Sequence, residues 1–181
     1  MTYTLEQFCA DCRSALQADP GDAGREAISN NMQELLKNEA FVAEHLGPQV
    51  ADGRHELYRD PELNFVVLAH VDRTPRPSPP HDHGRSWAVY GQAIGWSEMK
   101  VYDRVDGSTG PGSASLELVE QFRLEPGESG IFGVGAIHAV ERSSGGCCYV
   151  RVTGEDLEVV PRLRYDKDNT QAVLVESLNL T

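Results

Sequence analysis

His81 and His83 alternate with Asp82 in the segment HDHG, and side chains at i and i+2 of a strand share a face. Both imidazoles can then reach one point inside a barrel, either as paired metal ligands or as ordinary surface or packing histidines, while Asp82 points away. An H-x-H alone does not choose between these readings. A second segment, GESGIFGVGAIH, sets Gly127, Gly133 and Gly135 ahead of His138, with short hydrophobic residues between them. Glycines in that pattern permit the tight turns and close strand approach that a small closed barrel needs at its corners.

Other residues carry chemistry less sharply. Cys9 and Cys12 form a C-x-x-C pair and Cys147 and Cys148 a vicinal pair, the residue types of a redox pair or a four-thiolate zinc site. Cys9 and Cys12, however, lie on one apolar helical stripe with Leu5, Phe8 and Leu16, so core packing is the better reading. His45 sits where a helical pattern ends and suits a capping role. His55 and His70 bracket two β-segments and read as polar strand-end residues, although His70 could approach the site if its strand faces inward. Trp87, Tyr90, Trp96, Tyr102, Phe122 and Phe132 supply aromatic bulk that lines a pocket or fills the core. Tyr90 follows His83 by seven residues, an odd interval that needs one bulge to bring it into a pocket.

Thr4 and Gln7 form a capping-box signature, and the apolar stripe after them predicts a helix from about residue 4 to about residue 17. A second helical pattern, with Ile28, Met32, Leu35 and Leu36 on one face, runs from about residue 23 to the stop at Gly47 and Pro48. Residues 1–50 are therefore expected to form a helical cap. Beyond them the period changes to short runs rich in Val, Ile, Phe and Tyr, separated by Gly, Pro, Asp and Ser clusters, the density of a sandwich or barrel over residues 51–181. The proline-rich DRTPRPSPP, residues 72–80, is short and flanked by strands, so it reads as a rigid loop that presents His81. One compact domain is the expectation for 181 residues.

A formal net charge of −12 opposes binding to phosphate backbones or anionic lipid surfaces, so neither nucleic acid nor membrane is an expected partner. Arg59, Arg73, Arg76 and Arg85 leave room for a local anion site. No run of about 18 apolar residues occurs, and the acidic, polar start MTYTLEQFCADCRSAL lacks the pattern of a secretory signal, so a cytoplasmic location is expected.

The segments HDHGRSWAVYGQAIG and Gly127, five residues, Gly133-Val134-Gly135, Ala136-Ile137 and His138 together resemble the two motifs of the cupin superfamily, with Gly133 standing where a proline is usual. The resemblance covers about residues 55–160. It implies a mainly β fold, a cupin double-stranded β-helix or jelly-roll barrel, holding a metal on His81, His83 and His138. The acidic ligand common in the superfamily would fall among Ser86, Trp87 and Ala88, so the implied site has three histidines. In that respect the chain resembles the thiol dioxygenases of the cysteine dioxygenase type, which use Fe(II).

Imidazoles also suit zinc, copper or nickel, whereas magnesium and calcium prefer oxygen ligands. The same branch has an arginine in a tyrosine-containing strand ahead of H-x-H that pairs with the substrate carboxylate, and Tyr58-Arg59 occupies that place. An arginine fork suits a carboxylate, although Arg59 also reads as a solvated strand-end residue. The serine, histidine and tyrosine relay of the branch aligns with Tyr149, Arg151 and Thr153, so Tyr149 or Tyr90 would have to substitute. The resemblance thus implies an Fe(II) dioxygenase of a small carboxylate-bearing substrate, a thiol such as cysteine or a mercapto acid, with O2 as co-substrate. A non-catalytic cupin that binds a metal or metabolite, and a zinc-dependent hydrolase or isomerase, stay open beside it. Pairing of subunits across a sheet edge makes a homodimer an expectation.

Overall fold

The computed structural model describes residues 2–176. Three helices come first: α1 (Leu5–Ala18), α2 (Asp22–Leu36) and α3 (Glu39–Leu46). The capping box at Thr4 is made in full, its hydroxyl accepting from Gln7 N while the Gln7 side chain accepts from Thr4 N. The single helix expected from residue 23 to Gly47 is instead two helices. Asn38 is extended and its side chain accepts from the amides of Ala40 and Phe41, starting α3 with a cap of its own. Hydrophobic periodicity runs through the break because both helices cover the same sheet, which is why the pattern alone did not reveal it.

Twelve strands follow: β1 (Gly53–Arg59), β2 (Val66–Asp72), β3 (Ser78–His81), β4 (Ala88–Ile94), β5 (Ser97–Arg104), β6 (Gly112–Ser113), β7 (Leu116–Leu124), β8 (Ser129–Phe132), β9 (Ile137–Arg142), β10 (Cys147–Thr153), β11 (Arg162–Tyr165) and β12 (Gln171–Val175). They build two antiparallel sheets, ordered β1-β2-β10-β4-β8 and β6-β12-β11-β3-β9-β5-β7. The sheets curl face to face as a double-stranded β-helix, so the mainly β jelly roll expected from the motifs is the observed fold. β6 and β11 were not anticipated, and the strand expected to begin at His81 instead ends there, as β3. β3 lies in the proline-rich loop, where Pro79 and Pro80 have no amide to donate, and its ladder is short and interrupted.

The first sheet is covered on both faces, and its strands divide their side chains by period two. Val67, Ala69, Val71, Cys148, Val150 and Val152 pack against the helices, with Phe8, Cys9, Cys12, Ile28 and Met32. Cys147 and Tyr149, with Ala88, Tyr90, Phe132 and Val140, face the interior between the sheets. At Gly91 the helix presses directly onto the sheet, since a Cβ there would stand 2.4 Å from Met32 Cγ. All four cysteines are free and buried, as packing residues of these two clusters. Arg13 and Asp60 tie α1 to the barrel: the carboxylate accepts from Arg13 Nε (2.6 Å), the Tyr58 hydroxyl and the amides of Glu62 and Leu63. No helix among the described residues is long and apolar enough to cross a membrane.

Candidate metal centre

The three motif histidines arrive at one point by three different local routes. His81 is the last residue of β3 and stands opposite His138 of β9 in the ladder. His83 is not in a strand. It sits in the turn that follows, closed by Ser86 N donating to His83 O (3.1 Å). Gly84 makes that turn with φ +60°, and a Cβ on it would fall 2.2 Å from the Pro161 carbonyl oxygen, so only glycine fits. Asp82 points away from the histidines as expected, and its Oδ1 accepts from Gly84 N and from Leu163 N of β11, both at 2.9 Å. One carboxylate thereby shapes the turn and pins it to the neighbouring strand.

The arrangement brings ligand atoms of His81, His83 and His138 within 4.8 Å of one another, and among the described residues this is the one such group of His, Cys, Asp or Glu. The His83 and His138 Nε2 atoms lie 3.2 Å apart. Two imidazoles on one ion at bond lengths of 2.0–2.1 Å would place their nitrogens about 2.8–3.4 Å apart, so this pair already has the spacing of shared coordination. His81 Nδ1 faces the Pro79 carbonyl at 2.9 Å, which fixes the proton on Nδ1 and leaves the Nε2 lone pair free. Burial pushes the His81 pKa down to about 4 and holds His83 and His138 well below the usual range, with the neighbouring His81 adding to the effect. All three are neutral near pH 7, the form that binds metal. The donor set therefore suits a borderline divalent ion rather than magnesium or calcium.

Tyr90 and Tyr149 are brought to the same place. The Tyr90 hydroxyl lies 3.3 Å from His83 Nε2, and its ring packs edge-on against Phe132, which in turn lies 4.1 Å from the His138 ring. The expected bulge before Tyr90 is absent: the turn at Gly84 resets the parity between His83 and β4 and does the same work. Tyr149 stacks on His70 with centroids 4.5 Å apart, and burial raises its hydroxyl pKa. His70 is not at a strand end. It stands inside β2, buried and inward-facing, with its pKa pushed well down by burial and by Arg151. His55 is half-buried and bonded to the Ala51 carbonyl, and His45 lies in the last turn of α3 against Phe41.

Arg59 is not brought to the histidines. Its guanidinium is held at the surface by Glu56 and Asp156. Arg73 is held by Asp52 and the carbonyls of Gly47 and Val50, and Arg85 by Glu155. The cavity over the histidines, about 250 Å³, is lined instead by Arg54, Arg142, Arg151, Arg162 and Arg164. Sequence spacing missed these five because they come from four strands. A signal was present in the alternation of Arg162-Leu163-Arg164 and of Tyr149-Val150-Arg151, which puts every second residue on the inner face.

No protein-family model matches the chain, and no curated protein matches it. Solved structures do. KdgF from Halomonas sp. is 15% identical with a TM-score of 0.41, covering 55% of this chain and 74% of that one. An L-ribose isomerase from Cellulomonas parahominis, determined with L-psicose, is 15% identical with a TM-score of 0.45, covering 58% of this chain and 61% of that one, less than two thirds of its length. The Cnp3 cupin domain of Schizosaccharomyces pombe is 11% identical with a TM-score of 0.45, covering 60% of this chain and 71% of that one. The fold is a jelly roll of two antiparallel sheets, with three histidines placed to hold a metal ion.

Proposed function

We propose that the chain is a mononuclear Fe(II)-dependent dioxygenase of a small carboxylate-bearing substrate, with a thiol such as cysteine or a mercapto acid as the specific reading. The observation that carries it is the convergence of three neutral imidazoles, without a carboxylate among them, beside a cavity that His81 and His83 line and whose other charged lining is dominated by arginine. Iron held by His81, His83 and His138 would supply activation of O2 toward the bound substrate. An all-imidazole ligand set leaves the centre cationic, which favours an anionic donor such as a thiolate. Burial excludes water from His83 and His138, both at most 1% exposed, and strengthens every charge interaction inside. The Tyr90 hydroxyl, beside His83, is the group we assign to hold or deliver a proton, with Tyr149 behind it kept protonated by its burial.

The test is oxygen uptake by the Fe(II)-loaded protein against a panel of thiol carboxylates and diketones, with His138→Ala as the control. Uptake with a thiol carboxylate that disappears in His138→Ala is the expected outcome. Iron bound stoichiometrically without uptake of oxygen on any substrate would sink the dioxygenase reading in favour of a metabolite-binding cupin, and turnover without oxygen would favour the zinc-type hydrolase or isomerase.

A further inference from the structure

Five guanidinium groups meet at a cavity that lies inside a chain of formal net charge −12. Arg54 comes from β1, Arg142 from the end of β9, Arg151 from β10, and Arg162 and Arg164 from β11. Glu158 is the single carboxylate among the described lining residues, and it pairs with Arg54. Arg162 Nη1 donates to the Leu157 carbonyl (2.7 Å) and Arg142 Nη1 to the Arg76 carbonyl (2.9 Å), so both are fixed in orientation while keeping their charge.

Arg151 differs from these. Its Nε and Nη2 are both buried and have no hydrogen-bond partner among the described residues. Those two N–H groups lie parallel along one edge of the guanidinium, the edge that takes an oxyanion with two bonds at once. A buried charged donor left unpaired is among the more costly arrangements in a folded protein, and it is found where a ligand completes the set. The direction of the side chain is not accidental. Val150 and Val152 on either side of Arg151 face the helices, while Tyr149, two residues earlier, faces the histidines, so period two directs Arg151 inward. Burial lowers the pKa of Arg54 and Arg162, and the charge of Arg151 lowers both further, a sign of cations crowded without enough counter-charge.

We propose that the cavity binds a small acid with a doubly charged oxyanion head, a short dicarboxylate or a phosphate monoester, on the Nε–Nη2 edge of Arg151 with Arg54 and Arg162 flanking it. This deepens the proposed function and rests on it only for the chemistry at the histidines. The head is a second recognition point, separate from whatever group the metal centre takes. A volume of about 250 Å³, below the roughly 300–1,000 Å³ of pockets for drug-sized ligands, limits the acid to metabolite size.

The test is titration calorimetry of the full-length chain, freed of metal by chelation and dialysis, with malonate, succinate and inorganic phosphate against acetate. Malonate or phosphate is expected to bind at least tenfold more tightly than acetate, with affinity falling as salt rises. Arg151→Gln is expected to remove at least tenfold of the dianion affinity while leaving acetate within about twofold. Malonate against phosphate in the same series tells the two sources of the charge apart. Should Arg151→Gln fail to fold, Arg164→Gln, at the exposed rim, serves as the second variant, with at least a threefold loss expected. Equal binding of acetate and the dianions, or dianion binding unchanged in a folded variant, overturns the proposal. Because no metal is present, dianion binding with no oxygen uptake in the iron-loaded protein would refute the dioxygenase reading alone, and oxygen uptake restricted to monocarboxylate thiols would refute the dianion head alone.

Discussion

Two cavities lie on opposite sides of the second sheet, and the larger of them is the less equipped for chemistry. The cavity around Ile137, Leu163, Tyr165 and Leu174 has about 600 Å³, more than twice the 250 Å³ over the histidines. Its walls are largely apolar, and its main charged groups are already satisfied: Arg104 by Asp106 and the carbonyls of Gly110 and Ser113, and Asp82 by two backbone amides. The smaller cavity is lined by His81 and His83, with His138 buried against them, and by Arg151 with its unpaired edge. Volume therefore separates the two less usefully than the fate of their donors. The strands that divide them supply both linings by alternation. His138 turns to the histidine cluster while Ile137 lines the larger cavity, and Leu163 turns away from the histidine cavity that Arg164 lines, while Arg162 borders both.

The strongest way to break that comparison is to truncate neighbours that face opposite ways. His138→Ala is expected to lower metal affinity by more than about 100-fold, beyond what loss of an outer-shell partner costs, as read from the metal-to-protein ratio after dialysis. Ile137→Ala, one residue earlier, is expected to keep its metal and to lose about 2–4 kcal/mol of stability in urea melts, as a truncated core side chain does. Loss of metal in both variants would show that the two faces of β9 are not independent, and the distinction between the cavities would fail.

Asp82 offers a finer test, because it lines the larger cavity while its carboxylate shapes the turn that carries His83 to the smaller one. Removing its carboxylate in Asp82→Ala frees the amides of Gly84 and Leu163, at a cost of about 1–3 kcal/mol for buried donors left unmade. The turn that carries His83 then loses its anchor to β11, and metal affinity is expected to fall about tenfold. Asp82→Asn retains the accepting Oδ1 and is expected to recover most of both losses. A variant that weakened stability without touching metal affinity would mean that the turn is held by Gly84 and Ser86 alone.

The parts of this molecule that were legible in its sequence are those governed by local spacing. The capping box at Thr4, the stripe that buries Cys9 and Cys12, the density of short strands, and the two glycine-containing motifs each reflect geometry within about ten residues. The meeting of His81 with His138 was legible only through the resemblance of both motifs together, since 57 positions of chain separate them and their contact is a ladder pairing. The route by which His83 arrives was not legible, because a turn at Gly84 and a continuing strand give the same H-x-H. Nor was the arginine cluster, which depends on the order β1-β2-β10 in one sheet and β11-β3-β9 in the other. A basic residue in a period-two segment announces that it has two faces to choose from, and only the neighbours in the sheet decide which one is inside.

Arg59 and Arg54 make the same point within a single strand, and they set the smallest expected effect. Both lie on β1, but Arg54 lines the histidine cavity while Arg59 is held outside by Glu56 and Asp156. Arg59 is partly exposed, and screened surface pairs of this kind are worth about 0–1 kcal/mol. Arg59→Gln is therefore expected to change stability by no more than about 1 kcal/mol and to leave small-acid binding within about twofold of the parent. Arg54→Gln removes a cation from the cavity and the partner of Glu158, and is expected to weaken dianion binding severalfold in the same calorimetric series. The reverse ranking would return the carboxylate anchor to Arg59 and would require that strand to rotate or shift its register on binding. Near-equal, small effects in both variants would leave Arg151 and Arg162 as the groups that hold the head, since neither depends on β1 for its place in the sheet.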